Sequence, residues 1–247
     1  MAIRYGLAFG WISIIGLGWG CVYEADAGMI GTPIAIHPRH TIVGAIEGSM
    51  INQELAFDTG ASPDIRLTKI LFRGTYGLFD RANIFLTVGT VDDDFKVLNY
   101  SGTTEVIFLA DQAIAYGGGF KWTVYEISNF LLGAGGQYER FMLVSDKSTS
   151  TTPPADSELK WQEFRFFVGA HLKDIPYFVP YGGVYMTVVR GELSFSSPIP
   201  PGTDVGESQS VGLFYGGDFK VWKSLTLSAE IHLIAESSVA FSIQYAF

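Results

Sequence analysis

The sequence is poor in cysteine, in histidine and in charged residues. Its 247 residues include one cysteine, four histidines and 17% charged residues. The cysteine, Cys21, lies within the first 27 residues, so a chain that begins after them has no thiol. Such a chain cannot form a disulfide, ligate a metal through cysteine or use a cysteine nucleophile.

Beyond the first 25 residues the sequence also lacks an apolar run that could form a membrane-spanning helix. Such a helix needs about 20 consecutive apolar residues. The longest uncharged stretch, residues 175–189, contains Pro176, Pro180, Gly182 and Gly183, which disfavour a helix. Helical membrane spans are therefore not expected.

Apolar and aromatic residues are abundant. The chain is 48% hydrophobic and 15% aromatic and has 29 glycines, a composition typical of a protein with a large dry core or a lipid environment. Its net charge of -9 argues against a nucleic-acid partner, because phosphate binding requires a basic surface.

The N-terminus has the pattern of a secretory signal peptide. Arg4 precedes an apolar stretch over residues 7–22, and Ala25-Asp26-Ala27 fits the small-x-small rule for cleavage. We predict a signal peptide over residues 1–27, an N-terminal segment over 28–39 and a single barrel domain over 40–247. An uncleaved anchor and lipidation at Cys21 are the alternatives.

The last two segments of the chain alternate between apolar and small or polar residues, as β-strands do. One face carries the apolar residues Val239, Phe241, Ile243, Tyr245 and Phe247. A soluble β-sandwich or lipocalin-like barrel would bury this face, whereas a membrane barrel turns it toward lipid.

Continuing this pattern predicts about ten strands, within a range of eight to twelve. They are expected at residues 40–54, 66–78, 84–96, 105–121, 130–144, 159–172, 178–194, 208–221, 225–235 and 238–247. Short connections alternate with longer polar ones, which predicts an all-β, closed antiparallel transmembrane barrel with short periplasmic turns and longer external loops. Pro180 removes a ladder hydrogen bond, so we expect the seventh strand to begin near Tyr181 or to contain a bulge at Pro180.

The signal peptide, the alternating strands and the ending Tyr245-Ala246-Phe247 resemble bacterial outer-membrane β-barrel proteins. The terminal strand of these proteins commonly ends in aromatic-x-Phe and is read by the barrel-insertion machinery. The resemblance implies a Gram-negative outer-membrane location, a monomer, and Tyr245 and Phe247 as the assembly signal. It also implies outer-membrane lipid, lipopolysaccharide and the insertion machinery as partners.

Outward apolar faces would leave many charged side chains in the lumen. The expected lumen-facing residues are Arg73, Glu163, Arg165, Arg190, Glu192, Asp218, Lys220, Glu230 and His232, together with Glu47, Lys69, Asp111, Lys121, Glu139 and His171. Two interpretations are open. The charges form a paired plug that fills a narrow barrel, or they line a constricted, selective pore.

The function expected from these features is non-enzymatic: a structural envelope protein or a narrow channel for small solutes. Surface recognition or adhesion through the external loops is the alternative. The pair Glu230-x-His232 loosely resembles the omptin family of outer-membrane proteases, so a hydrolase is a remote alternative. No cofactor, metal site or catalytic residue is predicted, and His37 and His40 are interpreted as exposed.

Overall fold

A computed structural model describes residues 29–247 except 55–63, 99–104, 110–111, 146, 149–156, 174, 176, 196–202 and 235. Within these residues the chain is almost entirely β-strand. No helix in the described part of the chain is long and apolar enough to cross a membrane.

The strands follow the alternating segments of the sequence. They are β1 (Ile42–Glu54), β2 (Asp64–Phe79), β3 (Ala82–Leu98), β4 (Glu105–Leu109), β5 (Ala113–Ile127), β6 (Phe130–Ser145), β7 (Lys147–Ser148), β8 (Ser157–Leu172), β9 (Phe178–Phe195), β10 (Thr203–Lys220), β11 (Leu225–Leu233) and β12 (Ser237–Ala246).

Ten of these strands form a closed antiparallel barrel. Each pairs with its neighbours in chain order, and β1 pairs with both β2 and β12, which joins the first strand to the last. The short strands β4 and β7 lie outside this ring, where β4 pairs with β3 and with β7. The predicted fold class and strand number are confirmed, and the predicted strand 105–121 is divided between β4 and β5.

The apolar faces of the strands point outward. In β12, Phe241 is 60% exposed whereas its neighbour Ala240 is 1% exposed, and the same alternation holds along the strand. A surface of this kind is stable in lipid and unfavourable in water. The direction of this face excludes the soluble sandwich, which would bury Val239, Phe241 and Ile243.

Two ends of the barrel can be distinguished by their connections. At one end, here called the turn end, the strands are joined by residues 80–81, 128–129, 173–177 and 221–224, and Thr41 and Phe247 lie at this end. The opposite end, the loop end, has the longer connections. This asymmetry of short and long connections is the one predicted from the sequence.

Pro180 lies within β9 and causes neither of the expected irregularities. The strand begins at Phe178, and the register with β10 continues through Pro180 opposite Gly217. The Lys220 amide donates to the Tyr177 carbonyl, so these two residues form a hydrogen-bonded pair. Hydrogen-bonded and non-hydrogen-bonded pairs alternate along antiparallel strands, and Pro180 and Gly217, three positions further on, therefore form a non-hydrogen-bonded pair. The proline nitrogen therefore faces the β8 side, where pairing ends at Tyr181.

Candidate functional site in the barrel lumen

The N-terminal segment, residues 29–41, enters the lumen: residues 29–35 are buried inside it, whereas most of residues 36–41 are exposed at the turn end. It extends from the turn end, where Thr41 precedes β1, to Met29 in the interior of the barrel. Met29 and Ile30 are both at most 1% exposed. The sequence analysis treated this region only as a segment ahead of the barrel and assigned it no place in the lumen.

The inner end of the segment is held by charged side chains of the barrel wall. The Glu230 carboxylate accepts hydrogen bonds from the backbone amides of Ile30 (2.7 Å) and Gly31 (2.8 Å). Arg73 Nη2 donates to the Met29 carbonyl at 2.7 Å. A hydrogen bond to a charged group contributes about 1.5–3 kcal/mol, so these contacts fix the inner end of the segment.

Nearer the turn end, hydrogen bonds between uncharged groups attach the segment to the barrel wall. Thr32 Oγ1 lies 2.8 Å from His171 Nδ1. The hydroxyl of Thr123 accepts a hydrogen bond from the Ala35 amide at 3.1 Å and donates to the Ala35 carbonyl at 3.2 Å.

Inward-facing glycines make room for the segment. A Cβ added to Gly133 would lie 2.4 Å from the Pro33 carbonyl oxygen, and one added to Gly77 would lie 2.0 Å from that of Pro38. Both distances are shorter than any real Cβ contact. The segment therefore approaches the wall closely where the wall lacks side chains.

Above the segment, Arg165 is the centre of a buried ionic network. It donates to Glu236 at 2.8 Å, forms an ion pair with Glu163 at 3.1 Å and donates to Thr187 at 3.2 Å. Its guanidinium group also lies over the Tyr185 ring, 4.7 Å from the centroid. Arg165 is fully buried, and these contacts compensate the cost of its burial.

His232 connects this network to the N-terminal segment. Its Nε2 is 2.5 Å from Glu230, and its Nδ1 contacts Glu236. Glu236 also accepts a hydrogen bond from Ser238 at 2.9 Å. One continuous chain of contacts therefore runs from Arg165 to the backbone of Ile30.

A second group of charges lies on the β1–β6 side of the lumen. Lys69 pairs with Glu139, and Arg73 lies 3.1 Å from Glu47. The Arg73 guanidinium group also lies over the Phe85 ring at 4.4 Å. These charges, like those around Arg165, have partners within the lumen.

Most of the residues expected to face the lumen do so. Buried, inward-facing positions are occupied by Arg73, Glu163, Arg165, Asp218, Glu230 and His232, and also by Glu47, Lys69, Lys121 and Glu139. Lys220 follows the inward phase of β10 but is exposed at the turn end, and His171 is half-buried there. Asp111 lies outside the described residues.

The prediction is wrong for Arg190 and Glu192, which lie on the outer face of β9. Their neighbours Thr187 and Val189 are buried inside, and Glu192 pairs with Lys160 of β8 on the outer surface at 3.5 Å. The sequence is ambiguous here because β9 carries valine in both phases, at Val188 and Val189. Alternation alone therefore did not identify the inward face.

Buried apolar side chains form a layer in the lumen toward the loop end. Phe141 and Trp161 stack with their ring centroids 5.7 Å apart. Other inward side chains that are at most 4% exposed complete this layer, namely Ile51, Leu67, Leu143 and Leu159. A cavity of about 30 Å³ beside the N-terminal segment and one of about 10 Å³ near Arg73 and Glu139 are large enough for only about one or two water molecules each.

Solved structures of bacterial outer-membrane proteins are similar to this chain. The translocator domain of the autotransporter NalP from Neisseria meningitidis matches with a TM-score of 0.50 and 9% identity over 86% of this chain and 90% of that one. The fold of this chain is that of an outer-membrane β-barrel.

Two further solved structures match the chain with lower scores. The outer-membrane protease OmpT of Escherichia coli has a TM-score of 0.48 and 10% identity over 84% of this chain and 97% of that one. An outer-membrane channel of Pseudomonas putida F1 has a TM-score of 0.46 and 10% identity over 91% of this chain and all of that one. No protein-family model and no curated protein sequence matches the chain.

Proposed function

We propose that the protein is a non-enzymatic structural barrel of the outer membrane, non-conducting in the state described. The observation that carries this proposal is the filling of the lumen at two levels. Buried apolar side chains around Phe141 and Trp161 occupy the lumen toward the loop end, and residues 29–35 fill it toward the turn end. A barrel of about eight strands has an interior that side chains just fill, and ten strands plus an internal segment fit the same description.

The test is single-channel recording of the chain that begins at Gly28, refolded and inserted into a planar bilayer. Heat-modifiable gel mobility serves as the control for folding. A folded barrel that stays silent is expected. Discrete conductance steps of reproducible size would contradict the proposal.

A narrow channel for small solutes is the second candidate. It is favoured by the noncovalent attachment of the segment, whose withdrawal would uncover a lining with charges of both signs, including Arg73, Lys121 and Glu230. A chain that begins at Thr41 tests this candidate in the same bilayer assay. Conductance of the shortened but not the full mature chain would support a channel closed by its own N-terminus, and silence of both would exclude closure by the segment alone.

The burial of Glu230 and His232 supports a non-enzymatic role. Glu230 and His232 are each 1% exposed, and Glu230 is occupied by the backbone of Ile30 and Gly31. A general base must contact the group from which it removes a proton, and both side chains are enclosed within the barrel. We expect no peptide hydrolysis by the refolded barrel, and cleavage abolished by Glu230→Gln would contradict this.

Recognition at the cell surface remains an alternative for the loops. Residues 55–63, 99–104, 149–156 and 196–202, which contain most of the predicted external loops, lie outside the described residues. Lipopolysaccharide and the insertion machinery likewise remain predicted partners.

A further inference from the structure

The outward-facing cations of the barrel wall lie close together on three adjacent strands. Among the strand residues whose side chains the structure describes, these cations are Arg140 of β6, Lys160 of β8 and Arg190 of β9. Arg140 is the register partner of Gln162, and Gln162 is the register partner of Arg190. Side chains that lie directly opposite each other in this way share one face of the sheet. The two arginines therefore flank a glutamine in one cross-strand row, here called the arginine row.

The arginine row lies at the loop-end border of the apolar wall. Strand β6 leaves the turn end at Phe130, and Arg140 follows ten residues later. At about 3.3 Å per residue and a tilt of about 40°, these residues rise roughly 25 Å along the barrel axis. The apolar band of an outer-membrane barrel is about 25 Å tall, and arginine on its outer face is tolerated near the borders but not at the midplane. The arginine row is therefore at the level of the lipid headgroups.

Arg140 is placed to bind an anion from outside the chain. The carboxylates on the same outer face, Glu158 and Glu192, pair with Lys160 at 3.3 Å and 3.5 Å. Arg140 forms no ion pair with the described residues, and neither of its register partners is charged. A guanidinium group presents parallel N–H donors that match the oxygens of a phosphate. A lipid phosphate is therefore the anion suited to this position.

An apolar trough runs across the outer wall next to the arginine row. It follows the adjacent cross-strand row on the turn-end side, which consists of Tyr245, Gly44, Gly74, Leu86, Gly118 and Tyr138. The three glycines of this row lie between rows of larger side chains, so the wall is hollow there. The hollow measures about 570 Å³ between Tyr138 and Gly74 and about 730 Å³ between Gly74 and Tyr245. Tyr138, whose ring centroid lies 4.8 Å from that of Phe164, ends the trough two residues before Arg140.

The trough has the shape and the lining for a hydrocarbon chain. It is bordered by outward-facing Tyr116 and Phe72 toward the loop end and by Ile84 toward the turn end. The bordering rows are four residues apart along each strand, about 13 Å between Cα atoms, so their side chains leave the width of one chain. Empty space in a lipid-facing wall would lose dispersion contacts. A molecule that carries both a phosphate and acyl chains can occupy the trough and bind Arg140 at its end.

We propose that this face of the barrel binds one molecule of lipopolysaccharide, with a lipid A phosphate on Arg140 and one acyl chain along Gly118 and Gly74. Arg190 supplies further positive charge, and the Gln162 amide between the two arginines faces the sugar backbone. The choice of lipopolysaccharide rather than a phospholipid rests on the external position predicted for the loop end. Binding at this face is independent of whether the lumen conducts.

The first experiment tests the phosphate contact. The barrel purified from outer membranes is freed of lipid by detergent exchange and titrated with purified lipopolysaccharide, and in parallel with phosphatidylglycerol, while native mass spectrometry counts the bound molecules. We expect one lipopolysaccharide per barrel. Arg140→Gln should weaken its binding at least about tenfold, because a charge-assisted hydrogen bond is lost. Arg140→Lys, which keeps the charge, should bind more tightly than Arg140→Gln, and Lys223→Gln at the turn end is the control that should not change the affinity.

Three results of this titration would overturn the proposal. Equal affinities of the parent barrel and Arg140→Gln would exclude the phosphate contact. Tighter binding of phosphatidylglycerol than of lipopolysaccharide would identify the wrong lipid. A dimer that forms without lipid would show that a second copy of the chain covers the trough.

The second experiment tests the acyl chain. A Cβ added to Gly74 meets no atom within 4 Å, so Gly74→Leu fills the trough without a clash in the barrel. We expect it to weaken lipopolysaccharide binding at least about fivefold. Gly48→Leu is the matched control, because Gly48 is equally open but does not line the trough. Heat-modifiable mobility shows that both variants are folded.

Fully deacylated lipopolysaccharide separates the two contacts, because it keeps its phosphates and has no chain to place in the trough. It should bind the parent barrel and Gly74→Leu equally. Equal binding of intact lipopolysaccharide by Gly74→Leu and Gly48→Leu would refute the acyl contact. A loss of deacylated lipopolysaccharide from Gly74→Leu would refute it as well.

Discussion

Replacing Gly133 by alanine should expel the N-terminal segment from its position against the wall. The added methyl group would lie 2.4 Å from the Pro33 carbonyl oxygen and 2.7 Å from the Ile34 side chain. One of these atoms belongs to the backbone, so the clash cannot be relieved by a rotamer change. Overpacking of this kind costs about 1–3 kcal/mol, which corresponds to a change of about 5- to 150-fold in the equilibrium between bound and displaced segment.

The displacement can be measured with a single cysteine, because the chain that begins at Gly28 has none. Ala35→Cys places a thiol in the segment at a position that is 8% exposed. We expect Gly133→Ala to raise the rate of maleimide labelling of this cysteine by about 5- to 150-fold. Heat-modifiable mobility shows that the barrel itself is folded.

Gly48→Ala is the matched control. Gly48 is also a strand glycine, but an added Cβ there meets no atom within 4 Å. The labelling rate should therefore not change. Equal labelling of the Gly133→Ala and Gly48→Ala barrels would refute the close packing of segment and wall.

Three further predictions follow from single residues. Arg165→Met should lower the free energy of unfolding by about 3–5 kcal/mol, because it leaves buried carboxylates without their cation. Arg190→Met on the outer face should change this free energy by less than about 0.5 kcal/mol. Equal urea midpoints of the two variants in micelles would contradict this prediction. Burial and the charge of Lys121 lower the pKa of His37, which lies in the segment and is half-buried rather than exposed, from 6.5 to about 4. Protonation thus favours the displaced segment, and stability is lost as pH falls from 6.5 toward 4; His37→Gln should lose less stability between these pH values than the parent chain, and an equal loss would count against it. Deletion of Phe247, whose ring is 81% exposed beside Tyr245, should lower the amount of barrel in the outer membrane without impairing export; unchanged outer-membrane levels would argue against its role in assembly.

The wall of the barrel could be predicted where one phase of a strand is apolar and the other is small or polar. In β12, Val239, Phe241 and Ile243 alternate with Ser238, Ala240 and Ser242, and only one orientation satisfies both faces. In β9 the adjacent Val188 and Val189 satisfy either orientation, which is why Arg190 was placed on the wrong face.

The segment in the lumen could not be predicted in the same way. Residues 29–41 have no period, and their partners lie far away in the sequence, as with the contact between Ile30 and Glu230. The sequence contains only an indirect indication of the segment in the lumen. Gly77 and Gly133 occupy inward positions in β2 and β6, and such gaps in a wall indicate that another part of the chain passes close by.

The contact between the segment and Glu230 restricts the order in which this protein can assemble. Glu230 belongs to β11, the penultimate strand, whereas the segment precedes β1. While the C-terminal hairpin of β11 and β12 is absent, the inner end of the segment has no carboxylate to bind and β1 has no second neighbour. Docking of that hairpin therefore joins the two edges of the sheet and binds the N-terminal segment in one cooperative event. Closure of the barrel and filling of its lumen by the segment should share the same late transition state.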